Sequence, residues 1–256
     1  FDGINGRNPR GIILATNGKL YGMSNGAIFE YDPNTNIYIK KFEFDGVNSS
    51  GNNLGVILQA SNGKLYGFDN GVSGSKGGIF EYDLITNTFV KKARFGETFI
   101  REDISSGESL IQASNGTFYG IGGHGTNYNG LIFKYELGIN KLSKIFDFNE
   151  IFSGWYPYGI MQANNGNLYG MNRTDRYNNF ININNYSNIS GTSAGRVITL
   201  SNYLQGRGIG GTFVQSSNGN LYASTNSGGV NDLGVLFEFN LTTGAYTKKF
   251  DFNGVN

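Results

Sequence analysis

Five copies of one short segment constrain this chain more than anything else in it. They are ATNGKLYG (residues 15–22), ASNGKLYG (60–67), ASNGTFYG (113–120), ANNGNLYG (163–170) and SSNGNLYA (216–223). Their asparagines stand at 17, 62, 115, 165 and 218, so successive steps are 45, 53, 50 and 53 residues. In each copy an apolar run enters, Asn-Gly turns the chain, and an apolar-aromatic run leaves. That pattern predicts a β-hairpin, because Asn and Gly tolerate the positive φ that a type I′ turn demands at both central positions. Recurrence at a period near 50 makes the hairpin part of a repeated unit.

Each unit carries four strand-like runs, a to d. In the second repeat they are 56–60, 64–68, 78–83 and 88–95. The first repeat gives 12–15, 19–23, 27–32 and 37–44, the third 110–113, 117–121, 131–136 and 141–148, and the fifth 212–215, 220–224, 235–240 and 245–252. The fourth departs. Its a and b runs (160–163, 167–171) are plain, while c is placed at 180–183 and d at 196–203, across an Asn/Ser-rich connection. The alternative puts c at 196–200 and loses d. Four antiparallel strands in about 50 residues is the pattern of a propeller blade, whose two faces are buried by stacking on its neighbours. The expected fold is therefore all-β: a five-bladed β-propeller, one domain over residues 1–256, with repeats at about 1–48, 49–99, 100–151, 152–204 and 205–256. Ring closure stays open between strand a innermost, strand b innermost, and a longer parent array.

Composition agrees. There are 40 Gly but 3 Pro among 256 residues, which suits turns between many short strands. A net charge of +1 argues against a nucleic-acid or anionic-membrane partner. No apolar run is long enough to span a membrane, and the absence of Cys excludes disulfides and thiolate metal sites. The chain opens on FDGIN (1–5), matching FDGVN (44–48), and closes on FNGVN (252–256). It reads as a fragment or mature piece from which an export signal has been lost.

The run STNSGGVNDLGVLFE (224–238), following NLY (220–222), resembles the HAF-type extracellular repeats of secreted bacterial proteins. Its Asn-rich flavour is similar to cell-surface versions from Bacteroidetes. The resemblance covers all five repeats, the fourth least well. It implies a β-propeller and a secreted or cell-surface location, and it implies no activity, since the family shares no catalytic motif. A looser likeness to other short-repeat propellers favours strand a innermost.

The a–b turns are uniformly tight and the c–d turns short, while the b–c and d–a connections vary. Variable loops on a rigid scaffold are where function concentrates. The most distinctive is FSGWYPYG (152–159), read as a d–a loop, with the only Trp, Trp155, beside Tyr156 and Tyr158. Arg173, Asp175, Arg176 and Tyr177 of the next b–c loop, with His124 and Tyr128 of the neighbouring blade, are expected across the same groove. Flat rings among Arg, Asp and Asn suit a sugar, whose C–H face packs on a ring. The competing reading, Trp155 as a wedge between blades, weighs equally.

Other candidates carry less. His124 is the sole histidine and has no second His for a metal or catalytic pair. Asp69, Glu97, Glu102, Asp103, Asp175 and Asp232 lie on the variable face, where a glycoside hydrolase or lyase would pair two of them. They are read instead as solubilising, so no enzyme is expected. The Phe-Asp-Gly-Val-Asn segments offer oxygen ligands for a weak calcium site, but read as turns in which Asp2, Asp45 and Asn253 bond to backbone; no cofactor is expected. Gln59, Gln112, Gln162 and Gln215 recur in strand a, with Leu14 in the first repeat. They are expected to satisfy backbone groups where blades meet, rather than to line a channel. The repeated tyrosines (21, 66, 119, 169 and 222) are read as structural, and the Lys-Lys pairs of strand d as an exposed, protected edge. The expected function is extracellular recognition or adhesion through carbohydrate bound on the b–c/d–a loop face. The alternative is a protein-interaction or structural module of a larger surface assembly.

Overall fold

The computed structural model describes residues 6–45, 56–69, 77–95, 107–122, 129–148, 155–173, 178–182, 196–200, 207–209 and 213–255. For residues 107–108, 155–158, 172–173, 178–182, 196–200 and 207–209 only the backbone is described. The described residues form five antiparallel sheets. Sheet one holds β1 (Arg7–Leu14), β2 (Leu20–Asn25), β3 (Ala27–Asp32) and β4 (Ile37–Glu43). Sheet two holds β5 (Ile57–Gln59), β6 (Leu65–Asp69), β7 (Gly78–Asp83) and β8 (Thr88–Arg94). Sheet three holds β9 (Gly107–Gln112), β10 (Phe118–Gly122), β11 (Leu131–Glu136) and β12 (Lys141–Asp147). Sheet four holds β13 (Trp155–Gln162), β14 (Leu168–Arg173), β15 (Asn178–Asn182) and β16 (Arg196–Leu200). In sheet five, β17 (Arg207–Ile209) and β18 (Val214–Gln215) both pair with β19 (Leu221–Ser227), which is followed by β20 (Val235–Phe239) and β21 (Tyr246–Asp251). Sheets one to four run in chain order, so their internal connections are hairpins, as are β19–β20 and β20–β21 in sheet five. In sheet four, Arg196–Leu200 is the fourth strand and pairs with β15, which fixes strand c before it and removes the alternative reading.

The Asn-Gly turn is not type I′. Only its glycine is left-handed, with φ between 79° and 82° at Gly18, Gly63, Gly116, Gly166 and Gly219; the asparagine is not. Gly18 N–H donates to Ala15 O and Ala15 N–H to Lys19 O, each at 2.9 Å. This is a type I turn closed by a left-handed glycine, a three-residue hairpin loop. Asparagine is there for its side chain. Asn17 Oδ1 accepts from Lys19 N–H at 3.1 Å, and Nδ2 donates to the Tyr21 hydroxyl at 2.9 Å. Asn62 makes the same pair with Lys64 and Tyr66, and Asn218 with Asn220 and Tyr222.

The glycine that follows Tyr is set by packing. A methyl on Gly120 would lie 2.2 Å from Phe133 Cζ, and one on Gly67 would lie 2.7 Å from the Phe80 ring and 2.4 Å from Val56 O. The strand-c phenylalanine thus lies over the strand-b glycine, which couples the Tyr-Gly and Ile-Phe motifs.

The chain divides into two compact units, Phe1–Gly125 with Phe133–Lys144, and Thr126–Ile132 with Ile145–Asn256. In the first unit, Ala15, Tyr21, Met23, Ile28 and Phe44 on the front of sheet one pack against Ile57, Leu65, Phe80 and Tyr82 on the back of sheet two. The front of sheet two meets sheet three through Tyr66 on Phe118 (4.8 Å between ring centroids) and Phe68 on Phe133 (5.8 Å). In the second unit, Ala163, Tyr169 and Met171 of sheet four pack against Phe213, Leu221, Val235, Phe237 and Phe239 of sheet five. Apolar faces buried between successive sheets are the main stabilising term.

The recurring glutamines lie at these junctions. Gln59 Nε2 donates to Gly63 O of its own turn at 2.8 Å, while its Oε1 accepts Thr16 N–H of the preceding turn at 2.8 Å. Gln112 accepts from Ser61 N–H at 2.7 Å and Gln215 from Asn164 N–H at 2.8 Å. One amide thus staples two turns, as expected. In sheet one Leu14 takes its place.

Candidate binding site on the fourth sheet

Strand a of the fourth sheet is longer than expected, and the segment holding Trp155, Tyr156 and Tyr158 is strand, not loop. β13 pairs with β14 through Trp155↔Arg173, Pro157↔Asn172, Tyr158↔Met171 and Ile160↔Gly170, with irregularities on both sides of the 157–158 pair. Gly159 absorbs the bulge at φ 52°. β1 has the same construction: Pro9-Arg10-Gly11 aligns with Pro157-Tyr158-Gly159, and Gly11 has φ 57°. Pro lacks a backbone donor but is tolerated on an edge strand or at a bulge, so a Pro-x-Gly signal that suggests a loop here extends the strand. The missed clue was its recurrence at 9–11 and 157–159.

This pairing brings two of the expected site residues, Trp155 and Arg173, directly opposite one another at the end of the sheet. The expected long b–c loop contracts, because Arg173 pairs with Asn178 and leaves 174–177 as the connection. Asp175, Arg176 and Tyr177 occupy it and lie outside the described residues, as do His124 and Tyr128 between β10 and β11.

Of the six loop carboxylates, two are described, and both serve the scaffold. Asp69 is buried at the end of β6 with Lys91 Nζ 2.8 Å from Oδ2. Asp232, itself left-handed at φ 58°, accepts Gly228 N–H at 2.7 Å. Glu97, Glu102, Asp103 and Asp175 lie outside the described residues. Asn253 Oδ1 accepts Val255 N–H at 3.0 Å, the turn role expected of the Phe-Asn-Gly-Val-Asn segment. Among the described residues no three His, Cys, Asp or Glu side chains gather as metal ligands would.

The opposite ends of the hairpins carry the most organised electrostatics. Glu30 is buried and accepts from Tyr21 OH at 2.7 Å and Lys19 Nζ at 2.6 Å, with Lys41 Nζ at 3.6 Å. Burial pulls its carboxyl upward, but the Lys19 and Tyr21 bonds and the Lys41 charge outweigh it and hold the carboxyl below its ordinary range. Burial, helped by the Glu30 bond, pushes the Tyr21 hydroxyl up to about 12. Sheet two repeats the group with Glu81, Tyr66, Lys64 and Lys92, and sheet five with Glu238, Tyr222 and Lys249. The Lys-Lys pairs therefore split. Lys41, Lys92 and Lys249 face these glutamates, while Lys40, Lys91 and Lys248 pair with Glu43, Asp69 and Asp251 at 2.9, 2.8 and 2.6 Å. Repetition in three sheets marks the network as scaffold.

No protein-family model matches the chain, and no curated protein matches it. Solved structures do. The chain resembles virginiamycin B lyase from Staphylococcus aureus at TM-score 0.59 and 12% identity, covering 93% of this chain and 68% of that one. It resembles the PQQ-bound aldose sugar dehydrogenase of Streptomyces coelicolor at TM-score 0.59 and 13% identity, covering 95% and 81%. It also resembles the extracellular domain of a protein described as a hybrid two component system from B. thetaiotaomicron, at TM-score 0.61 and 14% identity, covering 97% and 31%. These neighbours are β-propeller proteins. The fold is of the β-propeller kind. A lyase, a dehydrogenase and an extracellular domain share it, so at these identities the likeness speaks to fold alone. No helix among the described residues is long and apolar enough to cross a membrane.

Proposed function

We infer that this chain contributes five consecutive propeller blades to an exported recognition module of the HAF-repeat type, and that it binds carbohydrate without catalysis at the outer end of β13 and β14. The observation that carries this reading is the Trp155–Arg173 cross-strand pair, flanked by Tyr158 and followed by a connection holding Asp175, Arg176 and Tyr177. A tryptophan and an arginine held at opposing positions of one strand ladder give a sugar a pre-ordered backbone platform, since rigid scaffolding lowers the ordering cost of binding. Export is supported by the extracellular location of the B. thetaiotaomicron neighbour. The test is a glycan array probed with the wild-type chain, Trp155→Ala and Arg173→Ala. Wild-type binding lost in both variants supports the reading; a blank array from folded protein overturns it. A second reading, a protein-interaction module, is favoured by the exposed Ile12 and Leu14 of β1.

A further inference from the structure

The five Asn-Gly turns share one backbone and differ in how they hold the asparagine amide. In four of them both ends of the amide are pinned. Asn17, Asn62, Asn165 and Asn218 each accept a backbone N–H two residues on, and each donates from Nδ2 to the tyrosine hydroxyl of its own strand b, at 2.9, 2.9, 3.0 and 2.9 Å. The third turn departs. Asn115 is exposed, and its Oδ1 accepts Thr117 N–H at 3.0 Å, but among the described residues its Nδ2 has no partner, Tyr119 included. Lys134, ion-paired to Glu136 at 3.0 Å, stands in strand c where sheets one, two and five have Glu30, Glu81 and Glu238. Tyr119 therefore lacks the carboxylate that those sheets set against the tyrosine hydroxyl, and it is half-buried where Tyr21 and Tyr66 are buried. The staple is also longest here: Gln112 Nε2 lies 3.2 Å from Gly116 O, against 2.8, 2.9 and 2.8 Å for Gln59, Gln162 and Gln215 to their own turns.

These differences bear on covalent chemistry. In Asn-Gly the following amide nitrogen can attack the asparagine side chain with no Cβ to obstruct it. Attack requires Cγ to swing onto that nitrogen, so each bond that pins the side-chain amide slows it. We propose that Asn115 is a modification site, the first of the five turn asparagines to convert spontaneously to aspartate and isoaspartate through a succinimide. The Gly116 nitrogen bonds to Asn115 Cγ, the Cγ–Nδ2 bond breaks, and Nδ2 leaves as ammonia with the proton that Gly116 gives up. Water then opens the ring at either carbonyl, and nothing is oxidised or reduced. Isoaspartate runs the main chain through Cγ. It thereby adds a methylene to a three-residue loop closed by Gly116 N–H on Ala113 O at 2.8 Å. Gln112, which holds Gly116 O, also accepts Ser61 N–H at 2.7 Å, so conversion loosens the junction between sheets two and three. The site is independent of the glycan reading.

Peptide mapping of the folded chain after incubation in mildly alkaline buffer tests it, with electron-transfer fragmentation to separate isoaspartate from aspartate at all five turns. Asn115 is expected to convert about fivefold faster than the other four, the factor that one net hydrogen bond carries, and in urea the five rates are expected to converge. Tyr66→Phe should raise the Asn62 rate by the same factor and leave the other four sites unchanged, while Tyr119→Phe should leave Asn115 unchanged. If Tyr66→Phe accelerates all five sites it has unfolded, and Tyr222→Phe, read at Asn218, decides in its place. Equal rates in the folded chain, or a lead by one of the pinned four, overturn the proposal. So does an equal lead of Asn115 in urea, which means that local sequence sets the rate, and so does an Asn62 rate indifferent to loss of the Tyr66 hydroxyl.

Discussion

Gln59 spends its amide on two turns, one in its own sheet and one in the sheet before. Gln59→Leu, which copies the natural Leu14, removes both bonds and leaves Thr16 N–H and Gly63 O to solvent. The expected cost is about 1 kcal/mol, the usual net value of a partly exposed bond of this sort, read as a lower urea midpoint at unchanged slope. The buried carboxylates give a pH signature. Glu30 and Glu81 have folded-state carboxyls below their ordinary value of 4.5. The stability they contribute is therefore present above about pH 4.5 and lost as pH falls through the lowered folded value. Glu81→Gln keeps an acceptor for Tyr66 but cannot titrate. Between pH 5 and pH 3 the wild type should lose urea resistance more steeply than this variant; parallel slopes would refute the assignment. That glutamine and tyrosine recur was plain in the sequence. That Asn17 works through its amide rather than its φ was not, because Asn-Gly fits two turn types and only the backbone distinguishes them.

At the scale of elements, hairpin order was legible because apolar runs, Asn-Gly and the Asx turns punctuate every repeat. Asp32 Oδ1 accepts Asn34 N–H at 2.9 Å and Asp83 Oδ1 accepts Ile85 N–H at 2.9 Å, with Asn36 and Asn87 left-handed at φ 59° and 54°. The extension of strand a was not legible, since Pro-x-Gly breaks the apolar alternation that marks a strand. The result is that Trp155 belongs to a strand edge, and its neighbour Arg173 is fixed by a ladder rather than by loop chance. The glycine–phenylalanine lock is the most local test of sheet packing. Gly67→Ala must displace the Phe80 ring or Val56 O, and over-packing of this kind costs about 1–3 kcal/mol. Ala223 opposite Phe237 in sheet five shows that the methyl is accommodated where the surroundings differ. A Gly67→Ala variant as stable as wild type would mean that the ring is free to move.

At the scale of the molecule, repetition made the scaffold legible and hid the function. What recurs is scaffold: the turn in all five repeats, and the glutamine staple, the ring over glycine and the glutamate under tyrosine in several of them. What binds must differ between repeats, and a single sequence gives such differences no weighting. The repeat that departs most, the fourth, holds the only Trp, and this makes a single measurement decisive. Intrinsic fluorescence excited at the tryptophan band reports Trp155 alone, and titration with the oligosaccharides bound on the array reads the proposed site directly. The expected result is a saturable change in Trp155 emission that Arg173→Ala weakens at least tenfold. Emission that stays constant while the sugar binds would contradict the site, and sugar that fails to bind at all would contradict the function.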